Sequence, residues 1–226
     1  MISRVGVGII GFGTVGTGVV KILLGNSALI SRRVGVPIEI IRIADLDVIR
    51  DRGLALPPGL LTTDAKQILT DPSIDIVVEL IGGCDVAKHT ILESIAAGKH
   101  VVTANKALLA LHGEEIFAAA SSRGVDLGFE ASVGGGIPVI QTLRERLATN
   151  TIQSIDGIIN ETANYILSRM THEGQSFEIM LDEAKQSGYA EADPTFDVAG
   201  IDSAHKLAIL VSLAYGTPVN VKDVYT

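Results

Sequence analysis

The chain has 226 residues, 47% of them hydrophobic, with 24 glycines, no tryptophan and a formal net charge of −8. This is enough aliphatic material for one large or two modest domains of α/β type, and an acidic balance without any basic run argues against a nucleic-acid partner. The single cysteine, Cys84, excludes an intramolecular disulfide and fits a reducing cytoplasm.

After Arg4, the sixteen residues from Val5 to Val20 carry no charge, but six of them are glycine, so the segment reads as a motif rather than a targeting peptide. No other segment approaches the roughly 18 apolar residues that span a membrane. Val5 to Ile10 predicts a buried strand that runs into Gly11-Phe-Gly13-Thr-Val-Gly16 and a helix through Leu24. This is G-x-G-x-x-G between a strand and a helix, the setting of a dinucleotide fingerprint. The glycines tighten the turn, let the backbone approach a pyrophosphate and let helix pack on strand. The helix N-terminus adds N–H groups and a partial positive charge. Gly11, Phe12, Gly13, Thr14, Val15 and Gly16 are therefore candidate cofactor contacts. An extended connection is expected from Gly25 to Pro37, followed by a second strand over 38–43. The strand ends in Ala44-Asp45, where an acid can bind the adenosine ribose hydroxyls and favour NAD over NADP. Arg42, Arg50 and Arg52 lie close by and leave a 2′-phosphate open.

Strands are expected over 74–81, 100–103 and 125–129, with helices over 85–97 and 114–122. Such alternation means a parallel sheet with right-handed crossovers, and ligands bind beyond the carboxyl ends of its strands. Gly82, Gly83, Asn105, Lys106 and Glu130 all fall there. Near Ala131 the character changes. A helix with Pro138 in its first turn is expected to about Ala148, then a strand over 151–160 and helices over 162–171 and 177–187, the last stopped by Gly188. The expected architecture is a Rossmann-type doubly wound parallel sheet over 1–130, followed by an α+β substrate and dimerisation domain over 131–226. The five histidines show no metal spacing, and Cys84 reads as a small packing residue.

The stretch from Glu191 to Lys206 packs Glu191, Asp193, Asp197 and Asp202 ahead of the apolar run 207–214. Asp202 and Lys206 are at i and i+4, one above the other on a helix. Such a pair is commonly a surface ion pair of little energy. The crowd of carboxylates leading into an apolar helix instead suits a site for an amino- and carbonyl-bearing small molecule.

Together, Gly-Phe-Gly-Thr-Val-Gly, Thr-Ala-Asn-Lys-Ala, Phe-Glu-Ala-Ser-Val-Gly-Gly-Gly-Ile-Pro, Gly-Ile-Ile-Asn and Ala-Asp-Pro-Thr-Phe-Asp-Val-Ala-Gly-Ile-Asp-Ser-Ala-His-Lys occur in order. In these motifs the whole chain resembles homoserine dehydrogenase. The resemblance implies NAD(P)-dependent interconversion of L-homoserine and L-aspartate 4-semialdehyde, in threonine, methionine and isoleucine biosynthesis, by a cytoplasmic homodimer with no membrane or nucleic-acid partner. It implies Lys206 as proton donor with Asp202 in the catalytic pair, Glu191, Asp197 and Asp202 on the substrate, and Lys106 between cofactor and substrate. It also implies Gly82 and Gly188 near the cofactor, and the main chain of Glu130, Val133, Gly135 and Ile137 around a Na+ or K+ ion.

Two departures stand out. Glu161 follows Asn160 where the family usually has glycine, which predicts weaker homoserine binding, restored by Glu161→Gly. Family members also usually continue past Thr226 with strands that return to the first domain, so the second domain is expected to be shortened. The competing readings are another small-molecule dehydrogenase of Rossmann type and a non-catalytic nucleotide-binding or oligomerisation remnant.

Overall fold

A computed structural model of the chain describes residues 3–226. The chain divides into two compact units, Met1–Leu108 with His112–Ser132 and Leu109–Leu111 with Val133–Thr226.

In the first unit, β1 (Val5–Ile10) leads through the glycine turn into α1 (Thr14–Gly25), and α2 (Ser27–Val34) precedes β2 (Ile38–Ala44). The stretch expected as an extended connection thus carries a helix. Gly35, at φ 85°, ends it in a left-handed cap, with Arg32 and Arg33 near its carbonyl end. Then come β3 (Leu61–Thr62), α3 (Lys66–Leu69), β4 (Ile76–Glu79), α4 (Asp85–Ala96), β5 (His100–Thr103), α5 (Lys106–Arg123) and β6 (Leu127–Gly128). The helix α5 begins eight residues before the expected Glu114, because Asn105 caps it by accepting the Leu108 N–H at 3.1 Å.

The six strands form one sheet in the order β3-β2-β1-β4-β5-β6, every pair parallel. The order reverses between β1 and β4, which opens a crevice at the carboxyl ends of those two strands. Alternation along β1 explains the two-sided core. Val7 and Ile9 pack with Phe12, Val20, Ile43 and Val78 on one face, while Ile10 packs with Ala44, Ile68, Ile74 and Val77 on the other. Near-continuous apolar strands are what a sheet buried on both faces requires.

The second unit is helical among its described residues. It contains α6 (Val139–Gln141), continued by a π-helical turn over Thr142–Arg146, then α7 (Glu161–Glu173), α8 (Phe177–Gln186), α9 (Thr195–Val198) and α10 (Ile201–Tyr215). The strand expected over 151–160 does not form; that segment has no regular structure. A strand exists only where a neighbour completes its backbone hydrogen bonds, and no other strand is described in this unit. Ile166, Met180, Ala184 and Ala190 make its apolar centre, with Tyr165 stacked on Tyr189 at 4.4 Å between ring centroids. Asp202, Ala204, His205, Ala208, Ile209 and Leu210 are the buried positions of α10. Among the described residues no single helix is long and apolar enough to cross a membrane.

Candidate functional site

In the first unit the glycine turn sits at the mouth of the crevice. Gly11 has φ 103°, and a Cβ there would lie 2.4 Å from the Leu80 carbonyl oxygen. A Cβ on Gly16 would lie 2.1 Å from the Gly11 carbonyl oxygen, while one on Gly13 would meet nothing within 4 Å. The outer glycines thus let strand, turn and helix close on one another, and the middle one leaves an open approach at the start of α1. That is the cradle a dinucleotide pyrophosphate needs. Thr14 and Val15 open α1 and are exposed, whereas the Phe12 ring is buried in the core.

Asp45, at the end of β2, is tied to this turn. Its carboxylate accepts the Phe12 N–H at 2.5 Å and the Asp47 N–H at 2.8 Å. A carboxylate has about four acceptor sites, so capacity for ribose hydroxyls remains. The Arg52 guanidinium lies over the Phe12 ring at 4.7 Å. It donates to the main-chain oxygens of Phe12 (2.5 Å), Asp47 (2.7 Å) and Arg50 (3.0 Å), and reaches Asp45 Oδ1 at 3.4 Å. With its side chain only 9% exposed, Arg52 serves the turn itself, while Arg50 is exposed. Beyond β4, Gly82 and Gly83 take consecutive left-handed conformations, with φ 82° and 69°. Beyond β5, Asn105 donates from Nδ2 to the Gly83 carbonyl at 2.5 Å, and Lys106 is the first residue of α5. Cys84 precedes α4 and is partly buried.

In the second unit α10 presents Lys206 and Asp202 one turn apart, with Nζ 2.8 Å from Asp202 Oδ2 and side chains 17% and 8% exposed. These exposures separate the pair from a solvated surface bridge: both charges are largely out of water, where partners are obligatory. Lys206 also donates to the Ile159 carbonyl oxygen at 2.6 Å. Asn160 donates from Nδ2 to Asp197 Oδ1 at 2.8 Å and to Asp202 Oδ2 at 3.0 Å, while its Oδ1 accepts the Ala163 N–H at 2.7 Å. This fixes the amide orientation, since a flipped Asn160 would turn its oxygen on two carboxylates. Thr162 Oγ1 lies 2.9 Å from Asp197 Oδ2 and 2.7 Å from the Tyr189 carbonyl. The irregular segment 151–160 is therefore held at its end by the side chains of α10.

The structure brings Asp197, Asp202 and Lys206 together, with Asn160 and Thr162, which side-chain reasoning did not single out. Glu191 is exposed in the loop before α9. In that loop Asp193 accepts from the Thr195 hydroxyl and N–H, which holds its carboxyl below the usual value. Gly188, at φ 78°, follows the end of α8. Glu130 starts a 3-10 turn in the first unit. In the second, Val133 is buried and Ile137 is exposed, its carbonyl accepting the Val139 N–H at 2.8 Å. No group of three or more His, Cys, Asp or Glu side chains that could hold a metal occurs among the described residues.

Glu161 is the exposed first residue of α7, directly after the Asn160 cap. A carboxylate there interacts favourably with the positive end of the helix. This placement supports a helix-end acid over a pocket residue. Glu161→Gly is thus expected to lower stability by about 0.5–1 kcal/mol, and titration calorimetry is expected to give the same homoserine affinity for both forms. Tighter homoserine binding by Glu161→Gly would restore the pocket reading.

A parallel sheet with a glycine cradle at its switch point defines a dinucleotide-binding protein of the doubly wound class. The family profile "Homoserine dehydrogenase, NAD binding domain" matches residues 11–130, and that of homoserine dehydrogenase matches residues 138–226. The chain belongs to the homoserine dehydrogenase family. It is 51% identical to the homoserine dehydrogenase of Synechocystis over 221 residues, covering 96% of this chain and 50% of the relative. To that of Bacillus subtilis it is 44% identical over 218 residues, again covering 96% and 50%. Among solved structures, a homoserine dehydrogenase from Thiobacillus denitrificans superposes with a TM-score of 0.91 at 50% identity, covering 98% of this chain and 51% of the other. A hyperthermophilic archaeal homoserine dehydrogenase in complex with NADPH gives 0.79 at 26% identity, covering 98% and 75%. The chain spans about half the length of the curated relatives it matches.

Proposed function

We propose that the protein reversibly reduces L-aspartate 4-semialdehyde to L-homoserine, with NAD(P)(H) held at the glycine turn of the first unit. The observation that carries this reading is the state of Lys206. An ammonium has three N–H donors, and among the described residues two are directed at Asp202 and the Ile159 carbonyl. The third is left for a substrate oxygen. When bound, the nicotinamide supplies or removes a hydride. As hydride reaches the aldehyde carbon, negative charge grows on the carbonyl oxygen, and Lys206 stabilises it and gives up a proton from Nζ. In the reverse direction Lys206 takes the proton of the homoserine hydroxyl. Asp202, held by Asn160 and Lys206, keeps that Nζ in place. Asp202 and Asp197 offer carboxylate oxygens to the substrate ammonium, with Glu191 as an exposed third acid.

Neutral main-chain oxygens at Val133, Gly135 and Ile137 are donors of the kind a hard monovalent cation, Na+ or K+, accepts. Residence in the cytoplasm, a role in threonine, methionine and isoleucine biosynthesis, and assembly as a homodimer complete the proposal. The single cysteine supports the first of these. The test is growth of the reduced-nicotinamide absorbance on adding L-homoserine with NAD+ or NADP+; a flat trace with both would overturn the activity.

Cofactor choice rests on Asp45. A 2′-phosphate beside that carboxylate is opposed by about 1–4 kcal/mol, depending on local dielectric, and Arg52 is already committed to main-chain oxygens. NAD(H) is therefore expected to be preferred. Asp45→Ser should narrow the gap, while Arg52→Lys should weaken NADH and NADPH alike, because a point charge cannot replace the fork. A loss confined to NADPH in Arg52→Lys would make that arginine a phosphate ligand instead.

A further inference from the structure

Glu79 is fully buried at the end of β4, a central strand, and no Lys, Arg or His nitrogen among the described residues forms an ion pair with it. Its register partner on β5 is Thr103, 1% exposed. Glu79 Oε1 accepts the Ile81 N–H at 2.7 Å, and Oε2 accepts the Thr103 hydroxyl at 2.7 Å. The same Thr103 oxygen accepts the Asn105 N–H at 3.0 Å. Asn105 in turn donates to the Gly83 carbonyl at 2.5 Å and caps α5, whose first residue is Lys106. One carboxylate therefore anchors two turns. The first is the glycine pair 82–83 beyond β4, and the second is the Asn105-Lys106 turn beyond β5.

We propose that Glu79 is a positioning residue of the dinucleotide site, setting the turns that follow β4 and β5 through Ile81 and Thr103. This rests on the assignment of the cofactor to the first unit. A buried carboxylate is costly in a sheet core unless it is fully hydrogen-bonded, and a purely structural bridge between two strands could be made by apolar packing. Here both oxygens must accept. In Glu79→Gln, with the amide oxygen toward Ile81, the amide NH2 faces a Thr103 oxygen that already accepts from Asn105, and the Thr103 proton loses its acceptor. With the amide reversed, NH2 opposes the Ile81 N–H. Neither orientation satisfies the network. The turns it sets are open to a ligand: a Cβ on Gly82 or Gly83 would meet nothing within 4 Å, and both lie at the carboxyl end of the sheet where cofactors bind.

The test measures NADH affinity by calorimetry on the full chain, at a temperature where circular dichroism shows every variant folded. Glu79→Gln and Thr103→Val are each expected to weaken NADH about tenfold. The double variant should lose less than the sum of the two, since both changes break the same Glu79–Thr103 bond. Thr103→Ser, which keeps the hydroxyl, should bind as the wild type does. A folded Glu79→Gln with unchanged affinity, or one that loses thermal stability alone, overturns the proposal. Should Glu79→Gln not fold, Thr103→Val against Thr103→Ser decides, and equal affinities overturn it. A wild type that does not bind NADH removes the cofactor assignment and the proposal together, whereas wild-type binding with unaffected variants removes the proposal alone.

Discussion

Lys206→Ala is expected to reduce homoserine oxidation by a factor of about 10²–10⁴, the range supplied by a positioned proton donor, and to leave NADH affinity unchanged. The substitution removes the ammonium that pairs with Asp202, which Asn160 bridges to Asp197, and releases the Ile159 carbonyl. Asp202 then stands largely buried with Asn160 still donating to it, so stability should fall as well, by about 3 kcal/mol or less. The two effects separate by measurement. Turnover is followed by nicotinamide absorbance, folding by thermal denaturation, and cofactor binding by calorimetry, each on the same preparation. A folded Lys206→Ala that turns over homoserine near the wild-type rate would end the proton-transfer assignment. Unfolding with normal turnover in the residual folded fraction would make the pair a structural bridge.

Alanine at the three glycines of the turn is expected to give two distinct phenotypes. Gly11→Ala puts a Cβ 2.4 Å from the Leu80 carbonyl oxygen in a backbone region (φ 103°) that L residues avoid, and Gly16→Ala puts one 2.1 Å from the Gly11 carbonyl oxygen. Both overlaps are with main chain, so no side chain can swing away. Each variant should lose on the order of 3 kcal/mol or more of stability. Gly13 has an ordinary φ of −71° and no atom within 4 Å of its would-be Cβ. Gly13→Ala should therefore fold as the wild type and bind NADH at least tenfold more weakly, because its methyl occupies the path of the approaching phosphates. Thermal melts and NADH titrations of the three variants distinguish the cases. Normal NADH binding by Gly13→Ala would show that the pyrophosphate does not approach there.

Strand–helix alternation and the spacing of the glycines were legible because they are local: the short aliphatic runs of β1, β2 and β5, and the turn between β1 and α1, are set by neighbours in the chain. The Asp202–Lys206 pair was legible for the same reason, since i,i+4 is a property of any helix. What failed was whatever depends on a partner far away in sequence. The segment 151–160 carries four isoleucines and was expected as a strand, yet it stays irregular without a neighbouring strand. A helix formed between Gly25 and Pro37 where an extended link was expected, and β3 is too short, at two residues, to leave a pattern.

At the candidate site the same division holds. Residue type and local spacing determined that a dinucleotide turn opens the chain and that Lys206 and Asp202 share a helix face. Only the tertiary structure decided that Asn160 bridges Asp197 and Asp202 from 37 and 42 positions away. It also decided that Arg52 is spent on the turn and that Glu79 ties β4 to β5. Sequence encodes which groups can donate or accept. Which donor meets which acceptor is settled by burial, because a polar group removed from water must find its partner wherever packing has placed it.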